Sequence, residues 1–317
     1  MNHRRSLTLM MACALAASTL AAQAPDRSAP PKAGPPPALH LPAIQKRQLA
    51  NGLPVWIVEL HKVPVVQVNL VVLSGSAADP AGKFGAASLA AAMLEDGAGS
   101  RSALQIADAI DFLGADLGTS ATSDSSVVRL HVPVARLGDA LPIMADVALR
   151  PTFPNEELDR LRQQRLTSLL EARDDPGTID ALAFSRVLYG PAHRYGTAIA
   201  GTAATIAAMT PDDLRAFYAS VFRPSNAALL VVGDTTPDTV MPLLASSFGS
   251  WKAGGAEGRA PAFPATPART AREIYLVDKP GAAQSQIRIG SIGAARSTPD
   301  YFPLQVMNTL LGRSRRG

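Results

Sequence analysis

A weak internal repeat constrains the fold of this 317-residue chain more than any other feature. Its first copy runs from Val55 to Leu94 and consists of two β-branched segments followed by an apolar helix. A similar layout returns in Ile274–Asp278, in Ser285–Ile292 and in the apolar helix pattern from Tyr301 to Leu311. Because such a repeat is one supersecondary unit, we expect a complete lobe and the beginning of a second, similar lobe.

Strand and helix patterns alternate within the first lobe. We expect strands at Leu53–Leu60, Val63–Val72, Ala121–Val134 and Asn226–Gly233, and helices at Lys83–Glu95, Ser102–Leu113, Leu137–Leu149, Asn155–Arg173, Asp180–Leu188 and after Thr210. The polar pair His61-Lys62 predicts a hairpin between the first two strands. Long helices beside a largely antiparallel sheet define an α+β fold.

The N-terminus has the layout of a secretory signal peptide, with Arg4 and Arg5 before an apolar run that ends in small residues. Cleavage is expected after Ala21 rather than after Ala24, since Pro25 follows the second position. A membrane anchor is the alternative, but the run is short for a spanning helix. We therefore expect export to the periplasm or the exterior, without stable membrane insertion of the mature chain.

The composition of successive segments predicts how the whole chain is divided. The expected boundaries are 1–21 for the signal peptide, 22–48 for a proline-rich tether with seven prolines, 49–252 for the first lobe, 253–271 for a linker and 272–317 for the start of the second lobe. The single cysteine, Cys13, lies in the signal segment, so no disulfide is expected. The net charge is +4, but the basic residues are scattered along the sequence, which argues against a nucleic-acid partner.

Several short motifs occur in a characteristic order. They are Asn51-Gly52-Leu53, Val68-Asn69-Leu70, Ser74-Gly75-Ser76, Asp79-Pro80, Gly85-Ala86-Ala87, Met93, Asp174-Asp175-Pro176, Tyr189-Gly190, His193, Tyr195-Gly196, Gly201-Thr202 and Val231-Val232-Gly233-Asp234. Their order and spacing, from about Leu49 to Gly312, resemble the insulinase and processing-peptidase family of zinc metallopeptidases. The resemblance implies paired α+β lobes that enclose an extended peptide.

Active members of that family carry the inverted motif H-x-x-E-H on the helix after the first two strands, where two histidines bind zinc and the glutamate activates water. Aligning Gly85-Ala86-Ala87 and Met93 places these functions at Ser88, Ala91 and Ala92. The resemblance places the third ligand, a glutamate, near Thr167 or Ser168. Glu171 is a weak candidate for that role. No catalytic residue and no metal ligand are therefore expected.

The sequence also lacks the residue patterns that other classes of enzyme require. The histidines His3, His40, His61, His131 and His193 show no ligand spacing. We interpret His131 as a packing residue of a strand and His193 as part of a structural loop. A serine or cysteine hydrolase is disfavoured, because the mature chain has no cysteine and no G-x-S-x-G elbow.

The resemblance implies a non-catalytic subunit that pairs with a catalytic H-x-x-E-H subunit and helps to enclose peptide substrates. Zinc is then expected only in the partner. The alternative is an incomplete or frameshifted reading frame with no independent function. The tail, in which Arg313-Ser314-Arg315-Arg316-Gly317 replaces the small-residue run of the family, favours this alternative.

Overall fold

The computed structural model describes residues 34, 38, 41–252, 263, 266 and 271–312. The chain divides into two units, Met1–Leu41 and Pro42–Gly317, and the fold described here belongs to the second. The expected signal peptide, most of the expected tether and linker, and residues 313–317 lie outside the described residues.

The strands of the described chain are mostly short. They are β1 (Gln45–Gln48), β2 (Pro54–Glu59), β3 (Val65–Val72), β4 (Gly97–Ala98), β5 (Arg101–Ser102), β6 (Asp116–Ala121), β7 (Ser126–Pro133) and β8 (Ala227–Gly233). The helices are α1 (Ala86–Met93), α2 (Ala103–Phe112), α3 (Leu137–Leu149), α4 (Asn155–Glu171), α5 (Pro176–Tyr189), α6 (Ala203–Ala207), α7 (Pro211–Val221), α8 (Pro237–Phe248) and α9 (Tyr301–Gly312).

Six strands form one sheet in the order β1-β2-β8-β3-β7-β6. Only β2 and β8 pair in parallel, and every other neighbouring pair is antiparallel. The sheet is therefore largely antiparallel, and the α+β prediction is confirmed. Strand β1 begins at Gln45, inside the range 22–48 that composition predicts as a tether.

The hairpin expected between the first two long strands is wrong, because β8 lies between β2 and β3. Val231 of β8 is opposite Ile57 on one side and opposite Val68 on the other. The connection at His61-Lys62 has no glycine or asparagine for a tight hairpin turn. It instead spans the width of β8, whose seven apolar or small residues become a central strand.

One face of the sheet lies beneath the helices. In β3 alone, Val66, Val68, Leu70 and Val72 are fully buried, while the intervening side chains are half-buried. Helix α1 contacts β6 and β7, and α3 contacts β7 and α8. Burial of this alternating set provides the hydrophobic stabilisation of the lobe.

Residues 271–312 differ from the repeat that the sequence predicts. The helix expected from Tyr301 to Leu311 is confirmed as α9. The segments 274–278 and 285–292 form no strand, so the expected second hairpin is wrong. Leu276 and Ile289 are each 93% exposed, and neither segment packs against a sheet that would stabilise a ladder.

Candidate functional site

Helix α1 carries the three positions expected to correspond to the zinc motif. Ser88 and Ala92 are half-buried, and Ala91 is buried. The helix begins after Gly85, whose φ of 98° favours glycine, and packs against α7. Its small side chains allow this close packing. The helix is therefore part of the core rather than a loop presented to solvent.

Arg165 on α4 lies directly beside Ser88. Its Nη1 donates a hydrogen bond of 2.7 Å to Ser88 Oγ. Burial lowers the pKa of the Arg165 guanidinium. The structure thus brings α4, the helix expected to carry the third ligand, into contact with α1, but the side chain at the contact is a cation.

The expected third-ligand positions lie on the exposed surface of α4. Thr167, Ser168 and Glu171 are all exposed. Arg165 instead shares a helix face with the partly buried Leu161 and Leu169, four residues before and after it. That spacing is the sequence signal that would have identified Arg165, because a basic residue interrupts an otherwise apolar stripe.

The donor chemistry of these residues does not fit zinc. Two alanines have no ligand atoms, a serine hydroxyl is a poor ligand, and the Arg165 guanidinium would repel a cation at Ser88. No group of three or more metal-binding side chains occurs within the residues that the structure describes. We derive no metal-dependent step for this chain.

The N-terminus of α1 is anchored by Asp79. Its carboxylate accepts hydrogen bonds from the backbone N–H groups of Gly85, at 2.7 Å, and Ala87, at 2.8 Å. Arg194 Nη2 lies 3.2 Å from Asp79 Oδ2 and also donates to the Ser76 carbonyl at 2.6 Å. Burial raises the pKa of Asp79 to about 6, against the lowering effect of these partners.

Two neighbouring acidic residues, Glu95 and Asp96, follow α1. Asp96 forms an ion pair with Arg160 at 2.9 Å. Burial, followed by the charge of Asp96, raises the pKa of the neighbouring Glu95 to about 7. The Asp96–Arg160 pair connects the end of α1 to α4, so both ends of α1 are held by buried or half-buried charges.

Two of the histidines that the structure describes, His61 and His193, have local structural contacts. His193 Nδ1 accepts a hydrogen bond of 3.1 Å from the Tyr195 backbone, as expected for a structural loop residue. His61 contacts Glu59 and Asp234 at the crossing between β2 and β3. His131 is exposed on β7, so its interpretation as a packing residue is wrong, because β7 directs alternate side chains outward.

The strands and helices of this lobe have the arrangement of the zinc-metallopeptidase type. Its features are the largely antiparallel sheet, the helix α1 packed on it and the contact between α1 and α4. Residues 55–187 match the family model described as insulinase (peptidase family M16), and residues 208–317 match the model described as the peptidase M16 inactive domain. The chain belongs to the insulinase family.

Known proteins of similar sequence and structure agree with this assignment. An uncharacterized zinc protease of Mycobacterium leprae is 27% identical over 83% of this chain and 59% of its own length. The peptidase M16 inactive domain from Pseudomonas fluorescens is 30% identical, with a TM-score of 0.65 over 69% of this chain and 54% of that one.

A third comparison concerns the fold alone. The first half of the periplasmic protease PqqL from Escherichia coli is 23% identical, with a TM-score of 0.64 over 71% of this chain and 49% of that one. The chain spans between 48% and 61% of the length of the curated relatives that it matches first. Across the described residues, no helix combines the length and apolarity needed to cross a membrane.

Proposed function

We propose that this chain is a non-catalytic insulinase-family subunit that pairs with a catalytic H-x-x-E-H subunit and helps to enclose peptide substrates. Zinc and the catalytic glutamate then belong to the partner. The observation that carries the proposal is the Arg165–Ser88 hydrogen bond of 2.7 Å, because it places a guanidinium where the family's metal chemistry is expected.

The chain's own exposed surface supports association with another protein. No residue of α9 is buried, and Phe302, Leu310 and Leu311 are 72%, 80% and 80% exposed. An apolar surface of this kind is typical of a protein–protein contact. We assign the catalytic subunit as the protein that covers it.

The proposal includes export. It is supported by the charged and apolar pattern of residues 1–21 and by the periplasmic location of the PqqL protease, whose first half has a similar fold. Cell fractionation, with detection of the chain by an antibody, tests this part. Recovery of the full-length chain in the cytosol alone would contradict it.

Reconstitution tests the pairing. The purified chain is mixed with a candidate H-x-x-E-H peptidase from the same organism, and cleavage of a quenched fluorescent peptide library is followed. We expect no cleavage by the chain alone, and a rate for the mixture at least about tenfold above that of the catalytic subunit alone, which corresponds to about 1.4 kcal/mol.

The matched control replaces the motif glutamate of the catalytic subunit by glutamine, which should abolish cleavage while leaving the complex intact on size-exclusion chromatography. Equal rates with and without this chain, together with separate elution of the two proteins, would contradict the proposed pairing.

A further inference from the structure

Arg165 is a half-buried cation whose charge has no anionic partner in the described part of the chain. Its contact there is the Ser88 hydroxyl, at 2.7 Å, and no carboxylate forms an ion pair with it. Burial lowers the pKa of its guanidinium. A desolvated charge without a counter-ion is unusual, because proteins normally pair such groups.

Neighbouring arginines follow that normal rule. On the same helix, Arg160 is paired with Asp96 at 2.9 Å and Arg162 is paired with Asp159. Arg194, near the start of α1, is paired with Asp79. Among these neighbouring arginines, and within the described residues, the lack of an anionic partner is therefore specific to Arg165 at the contact between α1 and α4.

Resting on the proposed function, we propose that Arg165 and Ser88 form a binding site for the free C-terminal carboxylate of a peptide. A guanidinium presents N–H donors in a planar fork that fits two carboxylate oxygens, and Arg165 uses one donor on Ser88. The Ser88 hydroxyl oxygen accepts that bond, so its own O–H is free to donate to the ligand.

The side chains around the guanidinium suit a carboxylate better than a larger anion. Ala91 and Ala92 lie three and four residues after Ser88, on the same face of α1, and have no side-chain hydrogen-bond donors. Two donor side chains match the two oxygens of a carboxylate in number, and the alanines beside them offer no further side-chain donor for the additional oxygens of a phosphate. Both Arg165 and Ser88 remain partly exposed, so a chain end can reach them.

Fluorescence anisotropy with the full chain tests the site. The probes are N-terminally labelled tetraalanine with a free carboxylate, the same peptide as its C-terminal amide, and an amidated peptide with one internal aspartate. Measurements at about 0.15 M salt screen long-range attraction, since the Debye length is then about 8 Å. We expect the free acid to bind at least about tenfold more tightly than the amide, as for a charge-assisted hydrogen bond.

Two pairs of variants assign the effect to the site. Arg165→Met should remove the preference for the acid, whereas Arg173→Met, which removes an exposed arginine after α4, should retain it. Ser88→Asp supplies an internal carboxylate beside the guanidinium and should also remove the preference. Ser88→Asn, of similar size but neutral, should retain most of it.

Equal binding of the acid and the amide by the wild-type chain would overturn the proposal, and this comparison needs no variant to fold. An unchanged preference in Arg165→Met would overturn it too. Binding of the internal-aspartate peptide as tightly as the free acid would overturn the assignment to a chain terminus. The experiment uses no catalytic subunit, so its outcome is independent of the reconstitution experiment.

Discussion

Arg194 Nη2 lies 3.2 Å from Asp79 Oδ2, and the two side chains join the loop after β3 to the turn that follows α5. The Asp79 side chain is fully buried, and that of Arg194 is 13% exposed. The same carboxylate accepts two backbone hydrogen bonds at the start of α1. The ion pair therefore positions the helix on which the family's motif is expected.

Replacing Arg194 by methionine should destabilise the fold by about 3 kcal/mol at pH 8, the cost of leaving a buried charge without its partner. The loss should be smaller at pH 5, because the pKa of Asp79 is already about 6 in the wild type and rises further without the cation. Urea unfolding at both pH values measures the effect.

Arg136→Met is the matched control, because it removes an exposed pair with Asp139 that is 3.6 Å long. Its effect should stay below about 0.5 kcal/mol at either pH. Similar losses in the two variants would mean that Arg194 is not needed to hold Asp79.

Glu95 should make the stability of the lobe depend on pH. Its pKa is raised to about 7, first by burial and then by Asp96, from an ordinary value of 4.5. A carboxyl whose folded pKa lies above its unfolded value stabilises the fold below the unfolded pKa, and this contribution is lost as the pH rises through the folded pKa. The contribution of Glu95 to the free energy of unfolding should therefore decline as the pH rises from about 4.5 to above 7.

Glu95→Gln removes this titration. Relative to the wild type, the variant should gain stability between pH 5 and pH 8, as measured by chemical denaturation. The control is Glu156→Gln at an exposed position of α4, which should follow the wild-type curve. Parallel pH curves for Glu95→Gln and the wild type would contradict the assignment.

Gly201 lets the chain approach α1 closely. Its φ is +78°, and a Cβ at this position would lie 2.2 Å from the Phe84 carbonyl oxygen. Gly201→Ala should therefore lower the free energy of unfolding by more than about 1 kcal/mol, which is the loss expected for the positive φ alone. Gly114 provides the comparison, because it has a φ of +62° and an added Cβ there would meet no atom within 4 Å. Thermal unfolding that ranks Gly114→Ala as the more damaging change would contradict this explanation.

Much of the lobe could be predicted from hydrophobic periodicity. The prediction of helix Leu137–Leu149 is confirmed residue for residue, and α4 ends two residues before the expected Arg173. Strand β6 escaped prediction because its sequence, DLGTSA, has little β-propensity and depends on pairing with β7. The position of β8 between β2 and β3 was not predicted either, because strand order depends on contacts between residues that are distant in sequence.

The candidate site was predictable only in part. The motif pattern identified α1 and the general position of α4, but it did not reveal the Arg165–Ser88 contact or the role of Asp79 as the anchor of α1. The first contact joins side chains 77 residues apart in sequence, and the second joins the Asp79 carboxylate to a backbone N–H group 6 residues further along the chain. Register between packed helices follows from three-dimensional packing, which local periodicity does not specify.

Restoring the motif residues should not by itself restore a metal site. The combined change Ser88→His, Ala91→Glu and Ala92→His should give weak zinc binding, because Arg165 remains beside position 88 and no third ligand is present. Adding Ser168→Glu and Arg165→Leu should tighten binding at least about tenfold. Competition with a chromophoric chelator measures the affinity, and circular dichroism checks folding. Tight binding by the first combination alone would show that Glu171 acts as a ligand.

The most direct test of the central claim, a subunit without catalytic metal, is the zinc content and peptidase activity of the purified full chain. After dialysis against buffer that contains micromolar zinc and then metal-free buffer, elemental analysis should find far less than one zinc per chain. The same sample should cleave no member of a peptide library. One tightly bound zinc per chain, with peptide cleavage that a chelator abolishes, would contradict the account.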